Sequence, residues 1–250
     1  MNGGFVLALA LWASPADFDA QRFEGAVGAA RAATTPQECE AAARAFEALL
    51  TDGFDSAEVR FNAGNAWLAA GRLGQAIAQY THAARLRPRD TAIAANLALA
   101  RQRAGLPPRE VDPLDSIVFW QSWLSYREKA TTALCVAIVA FGALAIGTWT
   151  GRRSARRVGL VVLGGLALFS IALVRDVIEH EFTMRGVVAG AGVVARKGAA
   201  AEFAEAFNEP LPEGTAFRVL EARPEWIHAE LDGGLDGWLP RSAVAFIGPN

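Results

Sequence analysis

Two long apolar runs without charged residues dominate the hydrophobic pattern in the middle of the chain. They cover residues 130–150 and residues 158–174, and only a short arginine-rich segment separates them. At helical rise the first run spans the hydrocarbon layer of a bilayer, about 30 Å, and the second is at the short end of the spanning range. A buried core helix is the alternative for either run alone. Their close spacing favours a membrane hairpin, with transmembrane helices at 129–150 and 158–175.

The segment between the runs indicates the topology. Residues 151–157 contain Arg152, Arg153, Arg156 and Arg157, each of which would cost about 2.5–3.5 kcal/mol at the bilayer centre. The loop therefore lies in water, and the positive-inside rule places it in the cytoplasm. Both flanking regions are expected on the extracytoplasmic side.

The N-terminus has the pattern of a signal peptide over residues 1–16. An apolar stretch at residues 4–13 is followed by small residues at Ser14 and Ala16, which suit a cleavage site. No Lys or Arg precedes Arg22, so the usual basic start is missing. An N-terminal helix packed on the next domain is the alternative.

The segment after it carries a helical repeat. Small residues and aromatic residues recur at the spacing of the tetratricopeptide repeat, a helix–turn–helix unit of about 34 residues. Small side chains let paired helices approach closely, and the aromatic side chains fill the space between them. The spacing of the glycines does not fit a dinucleotide-binding loop. The matching residues are Gly64, Trp67, Gly71, Ala76, Tyr80, Ala83 and Pro88.

The repeat frame extends in both directions. It predicts a domain at 17–104 with a degenerate repeat near 23–56, a clear repeat at 57–90 and a capping helix at 91–104. One unit cannot bury its own apolar face, so neighbouring units must supply the partner surface. This array is short.

Three asparagines in the repeats are candidate binding residues. Asn62 and Asn96 are one repeat period apart, and Asn65 follows Asn62 by one helical turn. Resemblance to tetratricopeptide repeats implies that these positions line a concave groove that hydrogen-bonds a bound peptide. The alternative is that they are ordinary polar residues that face solvent.

The connecting segments differ in character. Residues 105–113 are rich in proline and predict a linker, and residues 176–185 form a second linker. Residues 114–128 predict an interfacial helix whose aromatic side chains sit at the membrane surface, with docking onto the repeats as the alternative. These aromatic residues are Phe119, Trp120, Trp123 and Tyr126.

The C-terminal region changes to the alternating pattern of half-buried strands. Over residues 186–250 it resembles a bacterial SH3-like barrel, a module that often contacts cell-wall peptides or protein partners. Trp226 and Trp238 are the candidate surface of this module, although core positions are the alternative for both. The residues that carry the resemblance are Trp226, Gly237, Trp238, Pro240 and Val244.

The composition excludes several functional classes. Lys and Arg number 24 against 26 Asp and Glu, for a net charge of −2, which does not suit a nucleic-acid binder. The three histidines lack metal-ligand spacing, and Cys39 and Cys135 fall in regions that do not pair. Phosphate-binding loops and nucleophile elbows are also missing. We therefore expect no enzyme, no metal and no cofactor.

The order of these segments predicts a multidomain membrane protein. It has all-α tetratricopeptide helix hairpins, a transmembrane α-helical hairpin and a C-terminal all-β SH3-like barrel. This order resembles the BatE-type aerotolerance family of bacterial membrane proteins. The resemblance implies an inner (cytoplasmic) membrane location, with von Willebrand A-domain membrane proteins as partners and indirectly a MoxR-type ATPase.

The expected function is a membrane-anchored scaffold that binds partner proteins through extracytoplasmic repeats, in a complex associated with the envelope or with aerotolerance. The alternative is a cell-wall-binding or envelope-sensing protein that acts through the SH3-like domain. The lipid bilayer is a partner in both cases, and peptidoglycan is a ligand in the second.

Overall fold

The computed structural model describes residues 20–108, 123–151, 153–177, 183–231 and 233–247. In these ranges the chain forms seven helices, one turn of 3₁₀-helix and one antiparallel sheet. The predicted signal peptide lies outside the described residues. So do Arg152, Phe119 and Trp120, and so does the side chain of Arg156.

The first five helices form an array in which each helix packs against the next. The turn between the two helices of the clear repeat contains Gly71, whose φ of +78° is the left-handed conformation that glycine adopts readily. The five helices lie between Ala20 and Arg103. They are α1 (Ala20–Ala32), α2 (Pro36–Thr51), α3 (Ala57–Ala69), α4 (Leu73–Leu86) and α5 (Thr91–Arg103).

Local capping residues explain where most of these helices begin. Thr35 and Glu38 form a reciprocal capping box at the start of α2, where Pro36 occupies the first turn. Ser56 caps α3 by accepting a hydrogen bond from the amide of Val59, and Asp90 does the same for α5. These residue types occur at helix starts because they satisfy amides that have no partner within the helix.

Gly64 allows α3 and α4 to come together. A Cβ atom at this position would lie 2.6 Å from Cε1 of Tyr80, too close for any side chain. Tyr80 is completely buried and belongs to the same cluster as Ala76. Gly64 on α3 thus accommodates the aromatic ring of Tyr80 on α4.

Two longer helices pack against each other after the array. They are α6 (Tyr126–Trp149) and α7 (Arg153–Val177). Among the described residues, α6 alone is long and apolar enough to cross a membrane. The predicted hairpin of two spans is therefore wrong. Arg153 and Arg157 belong to α7 itself, and the uncharged run that remains in this helix, residues 158–174, is at the short end of the spanning range.

The C-terminal sheet has five antiparallel strands in the order β4-β3-β2-β1-β5, with a bulge in β2 between Val219 and Glu221. The 3₁₀ turn Arg241–Ala243 connects β4 to β5. The strands are β1 (Arg185–Val188), β2 (Ala216–Ala222), β3 (Trp226–Leu231), β4 (Asp236–Pro240) and β5 (Val244–Ile247).

The prediction of a closed all-β barrel is wrong, because this sheet is open. Closure would require hydrogen bonds between the two edge strands, β4 and β5. The edge of β4 instead bonds to the segment between β1 and β2: the amide of Arg196 donates to the carbonyl of Trp238 at 2.8 Å. The described chain is thus a mixed helical and β fold with one candidate membrane helix.

The sheet has its own core and also shares one with the helices. One face of the sheet encloses the buried residues Val188, Phe217, Ile227 and Leu239. At the other end, residues of β1 and β5 join the cluster that fills the helical array. The helical array and the sheet therefore pack directly against each other, through α4, β1 and β5.

Candidate functional site

Two of the three predicted groove residues meet in one hydrogen-bonded cluster. The hydroxyl of Tyr80 donates to Oδ1 of Asn65 at 2.7 Å, and Nδ2 of Asn96 donates to the same oxygen at 2.8 Å. The cluster joins α3, α4 and α5. Burial raises the pKa of Tyr80 to about 12, although the hydrogen bond to Asn96 acts in the opposite direction.

Asn62 is separate from this cluster. Its Nδ2 donates to the backbone carbonyl of Glu58 at 2.9 Å, one turn earlier in α3. Asn62, Asn65 and Asn96 are all half-buried. The structure thus brings Asn65 and Asn96 into contact and places Asn62 one turn away along the same helix.

A second polar network, which the sequence did not reveal, links α2, α3 and α4. The carboxylate Oε1 of Glu47 accepts from Nε1 of Trp67 at 2.9 Å and from Nε2 of Gln79 at 3.2 Å. Oε1 of Gln79 in turn accepts from Arg60 at 3.1 Å. The signal that could have found this network is Trp67, because a buried indole N–H requires an acceptor.

The network ends at a carboxylate whose charge is stabilised. Arg60 donates to both oxygens of Asp55, at 2.7 and 2.8 Å, and Nε2 of His82 lies 3.8 Å from the same carboxylate. Burial alone would raise the pKa of Asp55. The hydrogen bonds and charge of Arg60, together with His82, outweigh it and hold that pKa below its usual value.

A third set of contacts fastens the helical array to α6. Arg89, in the turn before α5, forms an ion pair with Glu128 in the first turn of α6. Its guanidinium carbon also lies 4.9 Å from the centre of the Trp123 ring. Ser125 and Glu128 form a capping box at the start of α6. The array is thus attached where α6 begins.

The outer surface of α6 and α7 is apolar and exposed. Phe141 is 60% exposed and Trp149 is 91% exposed, and only 11% of the most apolar part of α6 is buried. Water does not stabilise such a surface, whereas lipid does. Trp123 and Tyr126 lie at the start of α6 and Trp149 at its end, the distribution of aromatic residues at two membrane interfaces.

The candidate residues of the sheet have less free surface. Trp238 is only 9% exposed, because the ring of His228 stacks on it at 4.8 Å and the guanidinium of Arg223 lies 4.4 Å from its centre. Nε2 of His228 also contacts Oδ2 of Asp236 at 2.7 Å. Trp226 is half-buried at the start of β3. Trp238 thus presents little area to a cell-wall ligand.

Within the described ranges no group of three or more His, Cys, Asp and Glu side chains is arranged to hold a metal ion. Cys39 and Cys135 are both free thiols. The fold and its contacts define a mixed helical and β protein with a helix suited to a membrane. No known protein family, curated protein or solved structure matches the chain.

Proposed function

We propose that this protein is a membrane-anchored scaffold that binds partner proteins through its helical array. The observation that carries the proposal is the convergence of Asn65 and Asn96, from successive helix pairs, on one face of an array attached to a membrane helix. The proposal assigns no catalytic role to the protein.

The face consists of the first helices of successive pairs, α3 and α5, and it carries Asn62, Asn65 and Asn96. Primary amides both donate and accept hydrogen bonds, so they suit the main chain of a bound peptide. Leu99, one turn beyond Asn96 on α5, is 38% exposed and adds an apolar contact. We call α3 and α5 with these four residues the asparagine face.

The anchor in this proposal is α6, whose exposed apolar surface supports insertion into a bilayer. Because the sheet packs on α4, the helical array and the sheet lie together at one surface of that bilayer, and the α6–α7 pair enters it from that surface. We place both in the extracytoplasmic space of a bacterial inner membrane, where the order of segments resembles BatE-type proteins. The proposed partner is a von Willebrand A-domain membrane protein, linked indirectly to a MoxR-type ATPase.

Co-purification tests the asparagine face. The tagged full chain is co-expressed with a von Willebrand A-domain membrane protein, extracted in mild detergent and captured. Asn62→Glu is the informative variant, because Asn62 lies outside the Tyr80 cluster and its replacement leaves that cluster intact.

The matched control is Ala48→Glu, the same acidic side chain at an exposed position of α2, the second helix of its pair. We expect Asn62→Glu to reduce capture at least fivefold and Ala48→Glu to leave it unchanged. Equal capture with both variants would remove the asparagine face from the proposal.

A further inference from the structure

The sheet packs against the N-terminal half of α4. Val187 of β1 and Ile247 of β5 are 1% and 4% exposed, and they belong to the same buried cluster as Ile77 of α4 and Trp67 of α3. Leu106, just after α5, packs against this cluster. The apolar core is thus continuous from the helices into the sheet.

The start of α4 depends on the sheet region for its cap. Arg72, the residue at the N-cap position, makes no capping hydrogen bond, and its Nε donates to Glu40 at 2.6 Å instead. Oε1 of Glu213 accepts from the amide of Gly74 at 2.8 Å, across 139 positions of sequence. Gly74 occupies the second helical position, where a local N-cap side chain usually bonds. The carboxylate also complements the helix dipole.

Two glycines, one on each side, make this contact possible. A Cβ atom on Gly74 would lie 2.4 Å from the carbonyl oxygen of Val188 and 2.7 Å from Cα of Ala189. On the other side, a Cβ atom on Gly214 would lie 2.3 Å from Cδ1 of Ile77. The two surfaces approach so closely that neither position has room for a side chain.

We infer that the sheet is a lateral cover of the helical array and that Glu213, in place of Arg72, caps the first turn of α4. Helical repeat units cannot bury their own apolar faces, so a neighbouring surface must cover them. Here β1 and β5 cover the surface of α4, so the short array gains its missing partner from the other end of the chain. The array and the sheet then form one cooperative unit. This inference does not depend on the proposed partner.

Hydrogen exchange on the full chain in lipid nanodiscs tests the inference. Gly74→Ala places a methyl group against the backbone of β1, whereas Gly28→Ala is the matched control, since a Cβ atom on Gly28 meets nothing within 4 Å. We expect Gly74→Ala to accelerate exchange at least tenfold in α4, β1 and β5 together, and Gly28→Ala to accelerate none of them. Faster exchange confined to α4, with β1 and β5 still protected, would overturn the single unit.

A second pair of variants tests the cap without adding volume. Glu213→Ala removes the acceptor, and we expect peptides that contain the Gly74 amide to exchange about fivefold faster, as for loss of an N-cap. Glu213→Gln keeps an oxygen acceptor and should restore most of the protection. Wild-type exchange in Glu213→Ala would overturn the cap. This pair also decides the inference if Gly74→Ala does not fold.

Discussion

The helical array and the α6–α7 pair use the same glycine contact between helices but differ in how much apolar surface they expose. In each, a glycine lets two helices approach: Gly64 faces Tyr80, and Gly159 faces Leu144, where a Cβ atom would lie 2.6 Å from Cγ. The two regions differ in the exposure of their large apolar side chains. Phe46 and Tyr80 are completely buried in the array, whereas Phe141 and Trp149 are mostly exposed on α6.

The comparison shows that two properties depend on different residues: the distance between two helices, and the solvent that suits their outer surface. Small residues determine how close two helices come, whatever surrounds them. Water drives large apolar side chains into a core, as in the array, whereas lipid does not. The exposed large side chains of α6 therefore suit a lipid environment. The same type of substitution in the array and in the α6–α7 pair should therefore change stability by different amounts.

The largest difference is expected for truncated aromatic residues. Phe46→Ala opens a cavity in the array and should reduce the free energy of unfolding by about 3–5 kcal/mol. Phe141→Ala removes a ring that faces the surroundings of α6, so the array should unfold as in the wild type. Denaturant unfolding in detergent, followed by circular dichroism, measures both. Equal losses would mean that Phe141 packs against protein.

Tyr80 makes the stability of the array depend on alkaline pH. In the unfolded chain tyrosine ionises near its usual pKa of 10.0, whereas folded Tyr80 keeps its proton up to about 12. The free energy of unfolding should therefore fall by roughly 2–3 kcal/mol as pH rises from about 10 to 12. Tyr80→Phe should lack this fall, and Tyr126→Phe, at the other tyrosine, should keep it. The same pH profile in both variants would contradict the assignment.

The two glycine contacts can be compared directly. Gly64→Ala forces the Tyr80 ring aside and should cost about 1–3 kcal/mol in unfolding of the array. Gly159→Ala should separate α6 from α7 and leave the array unchanged. Gly25→Ala, at an open helical position, should be neutral or stabilising. A Gly159→Ala effect on the array would show that the two regions are coupled.

The smallest effect is expected at Asp55, on the surface of the array. Because Arg60 lowers its pKa in the folded state, the unfolded chain binds a proton first as pH falls below about 3.8. Stability should decline in that range, and Asp55→Asn should flatten the decline. Thermal unfolding of both chains between pH 5 and about 3 measures the difference. If Asp55→Asn loses stability at low pH as the wild type does, other carboxylates cause the loss.

Local chemistry explains what could be predicted from the sequence. Thr35, Ser56 and Asp90 are residue types that cap helices, and each precedes a helix. The spacing of Gly64 and Tyr80 indicates that α3 packs beside α4. The uncharged run at residues 130–150 indicates α6 in the same way. Each of these signals lies within one helix or one neighbouring pair.

The error about the sheet came from contacts that no local pattern contains. Alternation in the C-terminal region indicates strands, but whether the edges of β4 and β5 meet depends on the loop that carries Arg196. The second apolar run is helical, but Arg153 and Arg157 lie within the same helix, and among the described residues α6 alone is a candidate span. Sheet closure is a property of the assembled strands.

The sequence by itself determined the helices, their caps and the apolar character of α6, because these depend on residues within a turn or a repeat of one another. Only the tertiary structure decided that Asn65 meets Asn96, that Glu47 joins three helices and that Glu213 caps α4. Hydrogen bonds between distant segments have no periodicity in the chain. They form only where packing has already brought their donors and acceptors together.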